Sequence, residues 1–273
     1  FLCRIPSTNI RIAAAIALLT IAGGMTYRNV ALWADPLQQA ITWARLAPDS
    51  PRAQTYAAQA EADAGNLQRA REQIDAAVIR FPAEPQVAFA QLSLYCRLGS
   101  ISQSTLGSVK TALRNAPRDY GPLLSQWLTS AVGMASDQRC SGLSLGAVDA
   151  LVDEAAANPA VAALPGRRQD IKHVRGLLAL ARGDSGSALI WFNDALAEDP
   201  SASVALAQAA ALGSANYPSL GLRHLEYFEG LPSTPPLTPV SGMRWLHALV
   251  LNRQGYWEKE INHLRYELQR HAK

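Results

Sequence analysis

The sequence predicts an all-α protein, a stack of helical hairpins, from its composition and from a repeated spacing of small, large and turn-forming residues. Of the 273 residues 49% are hydrophobic and 17% charged, so the chain can bury a sizeable core. Aromatic residues make up only 7%, and alanine is abundant, which favours closely packed helices over a β-sandwich or barrel. Gly183, Ala188, Phe192 and Ala195 precede Pro200 by 17, 12, 8 and 5 residues. This spacing is expected where two helices meet across a tight glycine turn.

The same spacing occurs a second time, in Gly65, Ala70, Ile74 and Ala77 ahead of Pro82. Pro48 precedes Pro82 by 34 residues, and Gly99 follows Gly65 by 34. A 34-residue period with these residue types resembles the tetratricopeptide repeat (TPR), in which each hairpin buries its apolar face on its neighbours. The alternative is an ordinary helical bundle in which the spacing arises by chance.

Weaker hairpins complete the predicted stack. Residues 118–163 form a hairpin with a long joining loop at 134–144, and residues 203–229 form one that lacks the turn glycine. The last hairpin has a charged second helix, as expected of a terminal repeat that faces solvent. We therefore predict a TPR-like solenoid over 28–229, a Pro-rich linker over 230–242 and a C-terminal capping hairpin over 243–273.

One segment near the N-terminus is unusually apolar. Residues 12–27 carry no charge and lie between Arg11 and Arg28. As a helix rising about 1.5 Å per residue they span roughly 24 Å, against about 30 Å for a hydrocarbon core. We predict a transmembrane helix over 12–27, after a cytoplasmic or loop segment over 1–11; a buried core helix and a cleaved signal peptide are the alternatives. The distribution of arginines places the rest of the chain on the outer side.

The sequence contains no constellation typical of catalysis, metal binding or a cofactor. The net charge of +3 is spread along the chain without a basic stripe, which argues against nucleic-acid binding. No two histidines have the spacing that places two imidazoles on one helix face for a metal. Glu226 and Glu229 are three residues apart, a spacing more typical of a solvated helix edge than of an acid pair. We predict no catalytic residue, no metal and no cofactor.

Three cysteines, at positions 3, 96 and 140, bear on the compartment. If the region after Arg28 lies outside the cytoplasm, we expect a disulfide between Cys96 and Cys140 that closes a 44-residue separation. Two unpaired thiols are the alternative.

In TPR proteins the first helix of each hairpin lines the binding groove. At the corresponding offsets of 2, 5, 9 and 13 this chain has Arg52, Thr55, Gln59 and Asp63, then Gln86, Phe89, Ser93 and Arg97, then Asp170, His173, Leu177 and Ala181. This mixed polar surface, with Phe89 as an aromatic anchor, suits an extended peptide or a loop of a partner protein. A plain solvated surface is the alternative.

The stretch "TYRNVALWADPLQQAITWARLAPDSPRA", residues 26–53, joins the apolar segment to the first full repeat. It resembles the junction between the last membrane helix and the TPR region of bacterial polytopic membrane proteins, namely TPR-bearing O-mannosyltransferases and O-antigen-ligase-like oligosaccharyltransferases. That resemblance implies lipid-linked sugar transfer by an N-terminal membrane domain that this chain does not contain. Since the sequence begins FLCRIP rather than with Met, we expect a piece of a longer or processed product.

Together these observations predict a non-catalytic TPR scaffold that binds a protein or peptide on the periplasmic side of a membrane glycosyltransferase-like protein. The chain would be attached to the bacterial inner membrane through residues 12–27, with residues 28–273 facing the periplasm. The alternative is a membrane-anchored TPR adaptor that assembles a secretion, pilus or polysaccharide-export machine without a linked enzyme.

Overall fold

The computed structural model describes the backbone over residues 8–117, 120–232 and 242–272, which is helical over most of its length. The chain divides into two compact units between Arg80 and Phe81. This division falls inside the solenoid predicted over 28–229, and residues 233–241 of the predicted linker lie outside the described residues. The all-α class and the TPR-like helical repeat are those that the sequence predicts.

The first unit contains the helices α1 (Thr8–Trp33), α2 (Pro36–Leu46), α3 (Pro51–Asp63) and α4 (Leu67–Arg80). Ser50 starts α3 by accepting a hydrogen bond from the backbone N–H of Ala53 at 3.2 Å, and a proline follows at the first helical position. Gly65 turns the chain into α4 with a φ of +83°, a conformation in which only glycine is unstrained. The three frame residues of α4, namely Ala70, Ile74 and Ala77, are buried. The first repeat is therefore a closely packed helical hairpin.

The predicted transmembrane segment lies inside α1, where most of its side chains are exposed. In the described part of the chain, no helix has both the length and the apolar character needed to cross a membrane. The uncharged stretch between the two arginines is shorter than the roughly 20 residues that a spanning helix needs. The structure therefore does not support the prediction of a transmembrane helix over 12–27.

The second unit stacks further hairpins. Its described helices are α5 (Pro85–Arg97), α6 (Gln103–Asn115), α7 (Pro122–Ser136), α8 (Leu145–Ala156), α9 (Pro159–Ala162), α10 (Pro165–Ala181), α11 (Ser185–Glu198), α12 (Ala202–Ser214), α13 (Pro218–Gly230), α14 (Gly242–Arg253) and α15 (Tyr256–His271). The first helices contact one another in the order α5, α7, α10 and α12, and the second helices contact one another in the pairs α6 with α8 and α11 with α13. Each hairpin thus packs side by side on the next, as in a solenoid.

Helices α10 and α11 of this unit cross closely at Gly176. Gly176 faces the ring of Phe192, and a Cβ atom at position 176 would lie only 2.2 Å from Cε1 of that ring. Phe192 is fully buried, as are Ala188 and Ala195 on the same face of α11. The hairpin therefore depends on the absence of a side chain at Gly176, a residue that the repeat frame did not single out.

The next hairpin, α12 with α13, lacks the turn glycine, and Asn216 takes its place. Asn216 has a φ of +69°, and asparagine is one of the few residues that tolerate this left-handed conformation. The last helix then packs on this hairpin through Leu268, whose methyl groups fill the space left open by Gly213 and Gly221. Helix α15 thereby covers an apolar surface at the end of the stack.

A disulfide fixes the least regular part of the second unit. Cys96, in the last turn of α5, and Cys140, in the loop between α7 and α8, are joined with a Cα–Cα distance of 4.9 Å. The same loop is held by a backbone hydrogen bond from Ile101 N to Ser141 O at 2.9 Å. Both cysteines are buried. The bridge therefore attaches the loop to the preceding hairpin. Cys3 lies outside the described residues.

We expect Gly176→Ala to destabilise the protein by about 1–3 kcal/mol, because the new methyl group must displace the Phe192 ring. Gly186→Ala is the matched control, since a Cβ atom there meets only an ordinary contact at 3.7 Å and alanine is the better helix former. Urea denaturation of both variants measures the difference. Equal stabilities of the two variants would contradict the close approach of Gly176 to the Phe192 ring.

We also expect reduction of the disulfide to lower the free energy of unfolding by about 3–4 kcal/mol, the chain-entropy value for a loop of this length. The double variant Cys96→Ala and Cys140→Ala should lose a similar amount and should then be insensitive to reductant. In the unreduced, denatured protein, thiol labelling should modify Cys3 alone. Labelling of all three cysteines would contradict the pairing.

Candidate binding pocket between three first helices

A pocket of about 460 Å³ lies between the first helices of three successive hairpins. We call it the His173 pocket. It is lined by Ser125, Gln126, Thr129 and Ser130 of α7, by Gln169, Asp170 and His173 of α10, and by Ser203, Val204 and Ala207 of α12. Its volume lies in the range of about 300–1,000 Å³ that is usual for ligand pockets, and eight of its ten lining residues have polar side chains, although most of the surface that the lining exposes is apolar.

The repeat itself places these residues together. Gln169, Asp170 and His173 are followed 34 residues later by Ser203, Val204 and Ala207. Ser125, Gln126 and Thr129 have the same relative spacing on α7, but they precede the α10 residues by 44 positions. Two connections lengthen this repeat, namely the loop between α7 and α8 and the connection between α8 and α10 that contains the short helix α9. Three repeats thus contribute equivalent positions to one surface.

A buried chain of hydrogen bonds lies behind His173. Its Nδ1 atom is 3.3 Å from Nε2 of Gln208, and Oε1 of Gln208 is 2.9 Å from Nε2 of His224. Nδ1 of His224 in turn lies 2.8 Å from Oδ1 of Asn193. Gln208 and His224 are fully buried. The Phe192 ring packs near both imidazoles, with centroid distances of 5.6 and 6.0 Å. His173 is therefore held from behind by residues of α11, α12 and α13.

These hydrogen bonds can run in two directions. A neutral imidazole has one donor and one acceptor nitrogen, so His224 satisfies both neighbours only when one adjacent amide turns its NH2 group toward the ring. If Asn193 turns, His224 donates to Gln208, Gln208 donates to Nδ1 of His173, and His173 carries its proton on Nε2. If Gln208 turns, each of its bonds reverses and His173 carries the proton on Nδ1. The relay thus lets Nε2 of His173 act as donor or as acceptor without a change in charge.

Both imidazoles are neutral at physiological pH. Burial lowers the pKa of His173 to about 4, since a charged ring would lose its hydration. Burial also lowers the pKa of His224 to about 4, and the nearby His173 contributes to the shift in its pKa. The His173 pocket therefore presents an uncharged imidazole over most of the physiological range.

The one carboxylate in the lining is already paired. Oδ2 of Asp170 lies 2.5 Å from Nη1 of Arg167, one turn earlier on α10. The same guanidinium nitrogen donates to the backbone oxygen of Gly121 at 2.7 Å. The charge of Asp170 is thus balanced within the protein, and the remaining lining residues are uncharged.

The other predicted groove residues do not join this pocket. Arg52, Thr55, Gln59 and Asp63 lie on α3 in the first unit, and Gln86 and Arg97 lie on α5. Thr55 donates to the Pro51 carbonyl oxygen at 2.8 Å, and Gln59 donates to the Asp63 carboxylate at 3.0 and 3.1 Å. Each of these hydrogen bonds joins two residues of α3.

The prediction of Phe89 as an aromatic anchor for a ligand was wrong. Phe89 is only 2% exposed and belongs to the hydrophobic core. The indole of Trp127 from α7 stacks on its ring with centroids 4.1 Å apart, and Trp127 Nε1 donates to Ser93 Oγ at 3.3 Å. The neighbouring hairpin therefore occupies the ring face that a ligand would need.

The described residues contain no group of three His, Cys, Asp or Glu side chains that could hold a metal ion. The sequence also places two acidic residues, Glu226 and Glu229, three positions apart. Glu229 forms an ion pair with Arg265 of α15 at 2.5 Å, so its role is explained by the packing of α13 on α15. The His173 pocket thus presents hydroxyl, amide and imidazole groups, and its one carboxylate is paired with Arg167.

Comparison with known proteins gives little further information. No family model matches the chain, and no curated protein matches it. A solved structure described as the functional characterisation of Pseudomonas aeruginosa pilF is similar over 82% of this chain and 92% of that one, at 15% identity and a TM-score of 0.36. At this TM-score the likeness bears neither on the fold nor on the function, which rest on the residues described above.

The two imidazoles predict how stability depends on pH. Their pKa values are about 4 in the folded protein against 6.5 when unperturbed, so the unfolded chain binds more protons between these values. The free energy of unfolding should therefore fall as the pH drops from 6.5 to about 4, by up to about 3 kcal/mol for a wholly buried ring. Urea denaturation over this range should show a smaller fall for His224→Phe than for the natural protein. His247→Ala, at an exposed position on α14, is the control, and equal falls in all three proteins would contradict the account.

Proposed function

We propose that this chain is a protein-interaction scaffold that receives a segment of its partner in the His173 pocket. The observation that carries the proposal is the contribution of equivalent residues by three successive repeats to one pocket. Solenoid repeats bind proteins along surfaces formed in this way, because each repeat adds the same few positions to the surface. The pocket supplies hydrogen-bonding groups without a reactive centre, which suits binding better than catalysis.

We further propose that the chain works on the periplasmic side of the bacterial inner membrane. The support is the disulfide between Cys96 and Cys140, since structural disulfides persist in oxidising compartments and are rare in the cytoplasm. In an oxidising compartment the bridge would keep the loop between α7 and α8 attached to the preceding hairpin.

The resemblance of residues 26–53 gives a reason to look for the partner among membrane glycosyltransferase-like proteins. An adaptor in a secretion, pilus or polysaccharide-export machine would use the same pocket for a different protein. The two settings are distinguished by the identity of the protein that the pocket receives.

Site-specific photo-crosslinking tests the proposal. A benzophenone amino acid placed at Gln126 or Ser203, two exposed pocket positions, should capture the same protein from both sites in cells. The control position is Ile190, which is 63% exposed on the second helix α11 and should not capture it. His173→Ala should reduce both adducts. Adducts that form equally well from Ile190, or that ignore His173→Ala, would overturn the proposal.

A further inference from the structure

We infer that the His173 pocket selects an uncharged polar peptide segment and anchors it through a carboxamide side chain, that of Asn or Gln. The inference rests on the proposed function and specifies the chemistry of the partner. It depends on three features of the pocket: the absence of unbalanced charge, the orientation of its hydroxyl groups and the reversible relay behind His173.

Charge is the first feature. The lining contributes a single carboxylate, Asp170, and Arg167 neutralises it at 2.5 Å. The residues that α7 and α12 contribute to the lining are uncharged, and the titratable group that faces His173 from α13 is the buried, neutral His224. An ammonium or carboxylate entering this pocket would lose part of its hydration without meeting an opposite free charge. The pocket therefore favours a neutral ligand.

The hydroxyl groups are the second feature. Ser125 donates to the backbone oxygen of Pro122 at 3.2 Å, and Ser130 donates to that of Gln126 at 3.0 Å. Once the proton of a hydroxyl is engaged in this way, its oxygen is left as an acceptor. The Ser125 and Ser130 oxygens on the α7 wall can therefore accept N–H or O–H groups of a ligand.

The third feature is His173. Its Nδ1 atom is held by Gln208, and no hydrogen bond from its Nε2 atom is seen within the described part of the chain. Because the relay can reverse, Nε2 can meet either a donor or an acceptor without taking a charge. A primary carboxamide is the neutral peptide side chain that offers two N–H donors and a carbonyl acceptor in one plane. It thus offers a donor for a serine oxygen of the pocket, and either a donor or an acceptor for His173.

Binding of acetylated, amidated peptides to the full-length protein tests the inference. Four short peptides share a Gly-Ser host sequence and differ at the central positions, which are Asn-Gln, Asp-Glu, Lys-Lys or Ala-Ala. Fluorescence anisotropy should show the tightest binding for the Asn-Gln peptide. His173→Ala should weaken that binding about tenfold, the effect of losing one well-formed hydrogen bond, while His247→Ala should leave it unchanged. Tighter binding of the acidic or the basic peptide, or no preference over the Ala-Ala peptide, would overturn the inference.

The resonances of the ring nitrogens give a readout that a purely structural role would not change. In ¹⁵N spectra of histidine-labelled protein, saturation with the Asn-Gln peptide should shift His173 toward one tautomer and leave it uncharged. His224→Phe removes the relay and should weaken the peptide-dependent shift, whereas His224→Gln, which retains a donor and an acceptor, should keep more of it. An unchanged His173 spectrum on saturation would contradict the inference.

The pH profile separates ligands by charge. Binding of the neutral peptide should be constant down to about pH 5 and should weaken toward pH 4, where His173 becomes charged. Binding of the Asn-Gln peptide that strengthens over the same range would overturn the inference. Maltotriose is a neutral ligand that is not a peptide. Binding of maltotriose in preference to every peptide would also overturn the inference.

If crosslinking from Gln126 and Ser203 succeeds while the Asn-Gln peptide fails to bind, the inference falls and the proposed function stands.

Discussion

The arrangement of the second unit depends on the Phe192 ring and on the space that Gly176 leaves for it. The ring is fully buried, and a Cβ atom at position 176 would overlap it. The same ring packs against His173 and His224, so the crossing that closes the α10–α11 hairpin also fixes the imidazoles behind the pocket. A displaced ring would disturb both the core and the polar relay. Packing and binding are in this way coupled through one aromatic side chain.

Much of the fold could be predicted from the sequence, because the repeat is encoded in small residues at fixed spacing. Gly65 and Gly183 supply the left-handed turns, and the alanines of α4 and α11 let their helices approach. The hairpin of α12 and α13 was harder to define, since Asn216 provides its turn and the expected glycine is missing. The membrane helix was inferred from apolar composition over residues 12–27, and the structure does not support it.

The binding site was less predictable, for a physical reason that differs from residue to residue. His173 lies at one of the groove positions that the repeat predicts. The 34-residue period places Ala207 at the equivalent position of the next repeat. On α7 the period is broken by the long α7–α8 loop and by the connection that contains α9, so Thr129 could not be placed in register from spacing alone. Phe89 was mistaken for a ligand anchor because repeat position alone does not show that Trp127 would cover its ring. The relay of Gln208 and His224 depends on contacts between separate hairpins, which spacing within one hairpin does not reveal.

The central claim is that equivalent positions of three first helices form one neutral binding surface. Hydroxyl-radical footprinting, with and without the partner identified by crosslinking, measures directly which side chains that surface loses to solvent. The account predicts protection of His173 and Val204 in the complex, with Ile190 on the second helix α11 equally oxidised in both states. Protection of Ile190 together with unchanged oxidation of His173 and Val204 would contradict it.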